Sequence, residues 1–549
     1  MTVGDAATSS ESRLSPWAPL RHRIFLALFI AQMASNVGTL MQNVGSAWLM
    51  GDLHGSTTLI AMVQTAAFLP VFILGIPAGA LADVVDRRRL LMATQMLMMV
   101  AAFVLAILSF AHKVTPLSLL ALTFALGVGT ALNAPAWQAI QPELVPKREL
   151  SQSLVLGALT YNVGRAVGPA LGGLVLAALG PPWVFAINAI SFLGTLVVLG
   201  FWHQVRAESQ LPAESLSGAT RAALRYGMNA PLLRAVLIRV ALLMFPAAAL
   251  QALLPIVVRD SLGLGSGIYG LLLACFGAGA AVAAVVRPRL EERLGSDAMI
   301  MTSTLVVAAA LLVDAYASQP VAVGAGLFVA GFAWTTAFTT TNVAAQSTLA
   351  AWVRARGMGL YMLTITGGVA IGSAAWGVLA EWSVSGAQAI AAAFLLVGLL
   401  VGRRYSLDRI ATVDVSPALS DDPVVILTPE HDDGPVLVTV AYSVPAAEMA
   451  GFVEAMRGIE RHRRRTGAYR WGLFRNLADP QEFVESFVVD SWGEHLRQHQ
   501  RVTASSDAQM DFVRRLVDRE VAVTHHISAY SPGALNAVEM GTPISGEEM

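Results

Sequence analysis

Lysine is nearly absent from this 549-residue chain: Lys113 and Lys147 stand among 36 basic residues, and the rest are arginine. A phosphate-binding P-loop needs lysine after glycine, and these two follow His112 and Pro146. The chain therefore carries no ATPase loop of its own. Cysteine is reduced to Cys275, which excludes an internal disulfide. Charge of either sign is scarce. Asp, Glu, Lys and Arg make up 13% of residues, where soluble domains carry about a quarter. The net charge of −1 provides no field for nucleic acid. The first twenty or so residues are polar and lead into a long apolar run without a cleavage site of small residues. That run reads as a retained membrane helix, not a removable leader.

Apolar residues take the place of the missing charge: 55% of the chain, with mean hydropathy +0.61. They are concentrated in 24–402, and 403–549 has an ordinary soluble composition. A helix needs about 20 apolar residues to cross a bilayer. Twelve stretches meet this, at 24–50, 57–82, 89–111, 115–141, 152–178, 182–202, 232–258, 267–287, 297–316, 320–347, 357–381 and 384–402. The expected fold is an all-α polytopic membrane protein of two six-helix bundles, at 23–202 and 232–402. Residues 1–22 form an N-terminal tail and 203–231 a central loop. Arginines cluster in alternate loops (Arg87 to Arg89, Arg148, Arg287, Arg289, Arg354, Arg356, Arg403 and Arg404), and the opposite loops hold little beyond Lys113 and Arg259. By the positive-inside rule both termini are cytoplasmic. The halves also echo each other. GRAVGPALGG at 164–173 and GVAIGSAAWG at 368–377 share a glycine spacing, as an internal repeat of six helices would.

After a polar linker at 403–432, strand-like and helix-like stretches follow in the order β-α-β-β-α-β, with strands at 435–444, 469–476, 482–492 and 523–530. This order predicts a small ferredoxin-like α+β domain over 433–530 and a disordered tail at 531–549.

The loop GALADVVDRRRLL at 79–91 resembles the signature of the major facilitator superfamily through Gly79, Leu81, Asp83, Arg87 and Arg88; Asp86 stands where most members have glycine. Gly79 permits close helix approach. Asp83 can accept from a helix N-terminus or pair with arginine, so Gly79, Asp83, Arg87 and Arg88 form an expected gating latch. GRAVGPALGG resembles the antiporter-type motif of that superfamily through Gly164, Gly168, Pro169, Gly172 and Gly173, which implies export. Small residues four apart let backbones touch, and proline frees a carbonyl. The whole of 20–400 resembles the enterobactin-exporter-like, or transmembrane secretion effector, branch. The tail is similar to antibiotic-biosynthesis-monooxygenase-like dimeric α+β barrels, which implies a homodimer through that domain.

Buried amides must face the bundle interior. Asn36, Gln42, Asn43, Asn133, Gln138, Asn342 and Gln346 are candidates for cavity or substrate contact, with interhelical glue as the alternative. Arg165, in the middle of the fifth helix, is a counter-ion for an anionic substrate or a structural pair. Arg239 lies nearer a helix end and reads as snorkelling. Carboxylates are few: Asp83, Asp314 and Glu381 are the nearest to the pathway, so proton coupling follows from the resemblance and not from a core carboxylate. His495 and His499 share a helix face near His525 and His526. They read as a solvated face and a strand-end pair, with no metal, cofactor or catalytic residue expected. The expectation is a secondary-active, proton-coupled exporter of a siderophore, drug or secreted metabolite in the inner membrane, and not an enzyme. Uptake by the same fold, or a catalytic tail, are the alternatives.

Overall fold

The computed structural model describes residues 15–202, 225–350, 352–407, 416, 429–518 and 522–528. The N-terminal tail to residue 14, most of the central loop, most of the linker and the tail from 529 lie outside the described residues.

Among these, eleven helices are long and apolar enough to cross a membrane. They are α1 (Arg23–Asp52), α2 (Thr57–Val84), α3 (Arg87–Phe110), α4 (Pro116–Leu144), α5 (Leu150–Leu179), α6 (Pro181–Phe201), α7 (Pro231–Ala252), a 51-residue stretch (Ser266–Tyr316), and then Pro320–Ser347, Arg354–Leu379 and Val384–Gly402. At 1.5 Å per residue the long stretch would be about 77 Å, more than twice the hydrocarbon thickness. It is broken at Gly295, whose φ of 71° belongs to no right-handed helix. The break gives α8 (266–294) and α9 (296–316), followed by α10 (Pro320–Ser347), α11 (Arg354–Leu379) and α12 (Val384–Gly402), and so restores the expected twelve segments. Large apolar side chains remain exposed along these helices, among them Leu117, Val285, Phe201 and Val321. In lipid they are solvated.

The chain divides into two compact units. The first comprises residues up to 213, 239–341 and 362–404. The second comprises 214–238, 342–361 and everything from 405. The second therefore includes the entry to α7 and the α10–α11 turn together with the C-terminal domain.

That domain holds a four-stranded antiparallel sheet in the order β2-β3-β1-β4, from β1 (Val436–Ser443), β2 (Arg470–Arg475), β3 (Glu482–Val489) and β4 (Ala522–Ile527). Helix α13 (Met449–Thr466) connects β1 to β2, and α14 (Trp492–Gln500) and α15 (Ala504–Arg514) connect β3 to β4. This is the ferredoxin-like order expected from the sequence. β3 alternates strictly between buried and half-buried residues. Its inward positions join Val438, Val440, Phe452, Met456 and Ile459 in one core. A carboxylate, Glu485, is wholly buried in it. It survives there because Tyr442 Oη and Trp471 Nε1 donate to it at 2.8 and 2.9 Å and the Arg463 Nε pairs with it at 3.1 Å.

Candidate functional site

The basic loop after α2 builds from the local turn outward. Asp86 is the N-cap of α3 and accepts from the Arg89 backbone N–H at 2.9 Å. Its position, glycine in most of the resembling sequences, is thus used for capping. Arg87 pairs with Glu143 of α4 at 2.8 Å. Arg88 donates to the carbonyls of Leu199 and Gly200, each at 2.8 Å, and so caps the end of α6. The Asp83 side chain lies outside the described residues. Gly79 shows no close approach among the described residues: a Cβ there would meet none of them within 4 Å. In the other half Arg239 replicates the cap. It is buried, donates to the Gly402 carbonyl at the end of α12 at 3.1 and 2.9 Å, and pairs with Asp297. Its charge is held by these partners, which corrects the snorkelling expectation.

The glycine motif of α5 has two contact faces. A Cβ at Gly164 would lie 3.1 Å from Asn36 Cβ, at Gly168 2.9 Å from Leu40 Cβ, and at Gly172 2.9 Å from Met41 Cα. These three seat α5 on α1 of the same half. Gly173 points the other way, and a Cβ there would come 2.6 Å from Gly270 Cα of α8 in the opposite half. The repeat reproduces both faces. Gly368 and Gly372 of α11 press on Met244 and Phe245 of α7, while Gly377 reaches across to Thr58 and Ala61 of α2. Pro169 has no N–H for the Arg165 carbonyl, and Gly277 of α8 sits against that oxygen, 2.5 Å from where a Cβ would be.

The two halves therefore meet along α5–α8 and α2–α11. Hydrogen bonds reinforce the second seam: Thr57 Oγ1 to the Gly377 carbonyl at 3.1 Å, Thr65 Oγ1 to the Ala370 carbonyl at 2.9 Å, and Thr58 Oγ1 to Glu381 Oε1 at 2.6 Å. At the same end Arg259 pairs with Asp52 at 2.9 Å and lies over the Trp48 ring at 5.6 Å, and Trp48 stacks on Tyr269. Arg259 is carried by a π-helical turn, Val257–Ser261, a local defect common at functional sites. The ion pair is part-exposed, and such pairs contribute about 1 kcal/mol or less. The seam thus combines close backbone contact with easily broken polar links.

At the inner part of the α5–α8 seam, Arg165 places its guanidinium 5.8 Å from the centroid of Phe276, whose ring meets Trp334 of α10 edge-on at 6.1 Å. A half-buried cation beside an aromatic ring can hold an anionic aromatic or carboxylate group.

Several amide candidates are tied between helices. Asn36 donates to Thr160 at 3.1 Å and accepts from Gln32 at 3.0 Å. Gln42 accepts from Asn188 of α6 at 2.6 Å, and Asn133 accepts from Gln95 of α3 at 3.2 Å. Asn43 and Gln138 are exposed; Gln346 is also exposed and donates to Asn342 at 2.7 Å. Asp314 of α9 is buried and accepts from Gln388 of α12 at 2.6 Å, inside one half. Sequence reasoning missed the Asp52–Arg259 pair, Phe276 and Trp334, because each contact joins helices far apart in the chain.

The C-terminal histidines are less solvated than expected. His495 is buried, with His499 and His525 each at 4.9 Å between ring centroids. Burial first, then these neighbours, push its pKa down to about 3. Among the described residues, no group of three or more His, Cys, Asp or Glu is arranged to hold a metal ion.

A family profile described as transmembrane secretion effector matches residues 14–532. The staphyloferrin A transporter of Staphylococcus aureus is 25% identical over 279 residues, covering 50% of this chain and 70% of that one. The enterobactin exporter EntS of Salmonella choleraesuis is 26% identical over 384 residues, covering 69% and 92%. Among solved structures, a nucleoside transporter, NupG, superposes with a TM-score of 0.57 at 15% identity, covering 70% of this chain and 99% of that one. At that identity the likeness is one of fold.

Proposed function

The chain belongs to the transmembrane secretion effector family of the major facilitator superfamily, a multi-pass membrane transporter, and from that premise we propose that it exports a small anionic organic molecule by alternating access. The observation that carries this is the matched pair of cross-half glycines, Gly173 against Gly270 and Gly377 against Thr58 and Ala61. They let the two halves close at the Asp52–Arg259 end, and the weak polar links there let them part. Arg165, beside Phe276, is the substrate cation of this reading, and a siderophore-like anion suits it. The loop charges put the termini and the Arg87–Arg89 loop in the cytoplasm, so the closed end is the outer one and the Asp52–Arg259 seam is an outer gate.

The coupling ion is a proton in this reading. Glu381, like Asp52, is a carboxylate whose link crosses the halves, and this reading gives it the coupling proton. The C-terminal domain leaves β2 and β4 as sheet edges, which suits a homodimer through that domain.

Accumulation of a panel of catecholate siderophores, carboxylate siderophores and fluorescent drugs in cells expressing wild type or Arg165→Ala, with and without a protonophore, tests the reading. Wild type should lower accumulation of an anionic compound, and Arg165→Ala or the protonophore should abolish the effect. Raised accumulation with wild type would mean uptake instead.

A further inference from the structure

The second compact unit joins the C-terminal domain to two short segments at the inner ends of membrane helices. One is 225–230, which leads into α7. The other is the turn between α10 and α11, which carries Trp352. These segments share an apolar cluster of Tyr226, Ala230, Leu233, Leu349, Ala350 and Val353, with Tyr226 edge-on to Trp352 at 5.6 Å and donating to the Thr348 carbonyl at 3.2 Å.

Helix α14 of the domain contacts both segments. Arg501, its C-cap, lays its guanidinium over the Trp352 ring at 4.5 Å. That guanidinium is held in place from behind. It donates to the Thr466 carbonyl at 2.7 Å and pairs with Glu494. Glu494 in turn pairs with Arg497 at 3.0 Å and reaches Arg225 at 3.6 Å. Burial alone would raise the Glu494 pKa, but the Arg501 and Arg497 charges outweigh it and hold the carboxyl below its usual range. Arg465 of α13 lies over the Tyr226 ring at 5.8 Å. The Glu494 and Arg501 side chains are nearly excluded from solvent, so the two groups that meet Arg225 and Trp352 are held in place by their own buried pair.

The two segments so held are the inner ends of α7 and α11. Arg259 stands on the π-helical turn that follows the outer end of α7, and Gly377–Glu381 spans the outer end of α11 and the two residues after it; these are the two polar elements of the outer gate. A helix transmits tilt along its length, so fixing both inner ends in one body opposes the movement that parts the outer ends.

We propose that the C-terminal domain is a brake on the transport cycle, docked through Glu494 and Arg501 onto Arg225 and Trp352, and that the outer gate opens only as this contact loosens. This inference rests on the alternating-access reading above.

The test is hydrogen–deuterium exchange on the full-length protein in lipid nanodiscs. It compares wild type, Arg225→Ala, Glu494→Gln and the gate control Asp52→Asn. Arg225 lies outside the domain, so its loss leaves the domain fold intact even where Glu494→Gln does not. Both docking variants should speed exchange in α14 and in 348–356 on the order of fivefold, as loss of one charged contact gives. They should also speed exchange in the gate segments 57–65 and 254–262. Faster exchange in α14 and 348–356 with unchanged gate segments, while Asp52→Asn does loosen the gate, would overturn the brake and spare the gate. No response of the gate segments to Asp52→Asn would overturn the gating reading and the brake with it. Unchanged protection of α14 in both docking variants would show that this contact does not hold the domain.

Discussion

The membrane-spanning unit and the C-terminal domain achieve close packing by opposite means. In the first, helices approach closely through residues without side chains, among them Gly173 on Gly270, Gly277 on the Arg165 carbonyl and Gly372 on Phe245. In the second the core is filled by large ones: Phe452, Phe487, Met456 and Trp492 around a sheet. The solvent accounts for the difference. Lipid is as apolar as leucine, so burying a large side chain between membrane helices gains little over leaving it in lipid, and close backbone approach supplies the contact energy. Water drives apolar side chains together, at about 25 cal/mol per Å² removed from it, so the domain is stabilised by bulk. The polar groups follow the same division. The inter-half seam uses single links, part-exposed at the Asp52–Arg259 end, whereas Glu485 in the domain is satisfied by three donors.

The sharpest way to break this comparison is to add bulk where the membrane unit has none. Gly173→Leu should separate α5 from α8 at a cost of about 3 kcal/mol or more, enough to depopulate the closed seam about a hundredfold. Transport should vanish while the protein still inserts, which surface expression and an export assay together would show. The converse change belongs to the domain. Phe452→Ala should cost it about 3–5 kcal/mol, read as loss of exchange protection across β1, β3 and α13. Fast exchange confined to α13 would instead mean that the core does not fold cooperatively.

A third prediction concerns pH. His495 has its folded pKa pushed down to about 3 from an ordinary value near 6.5. Between those values the unfolded state binds the extra proton. Domain stability should therefore be complete above about pH 6.5 and fall as the pH drops toward 3, by up to about 1.4 kcal/mol per pH unit. His495→Gln should flatten that dependence in a urea titration of the full chain monitored by exchange in β4. The smallest expected effect is at the gate. Asp52→Asn removes a part-exposed pair, so the open state should gain by about 1 kcal/mol or less, roughly fivefold in population.

The sequence was most legible where the physics is local. Twenty apolar residues specify a membrane helix whatever surrounds them, and the twelve expected stretches agree with the observed helices to within several residues. The divergence at 288–294, expected as loop and found as helix, arises because a polar segment at the membrane edge can remain helical until a residue such as Gly295 turns it. Glycine spacing announced the repeat, and strand alternation announced the β-α-β-β-α-β order. The site was legible by residue type and not by partner. Asn36, Gln42 and Asn133 had to be satisfied by something inside the bundle, but that each would find a neighbouring helix depends on geometry. Gly79 shows the same limit: its small size is evident, but nothing in the sequence says which state of the transporter brings a helix against it. Arg259 read as a stray charge on the sparsely charged side because its partner, Asp52, lies in another helix of the other half.

The central claim is that the seam at the Asp52–Arg259 end is a gate that opens. It is tested most directly by spin-label distance measurement between Thr58→Cys and Glu381→Cys in a Cys275→Ser background, in nanodiscs, with and without Asp52→Asn. The account predicts two distance populations, the short one matching this structure and the long one enriched by Asp52→Asn. A single short distance that persists in both proteins would contradict it.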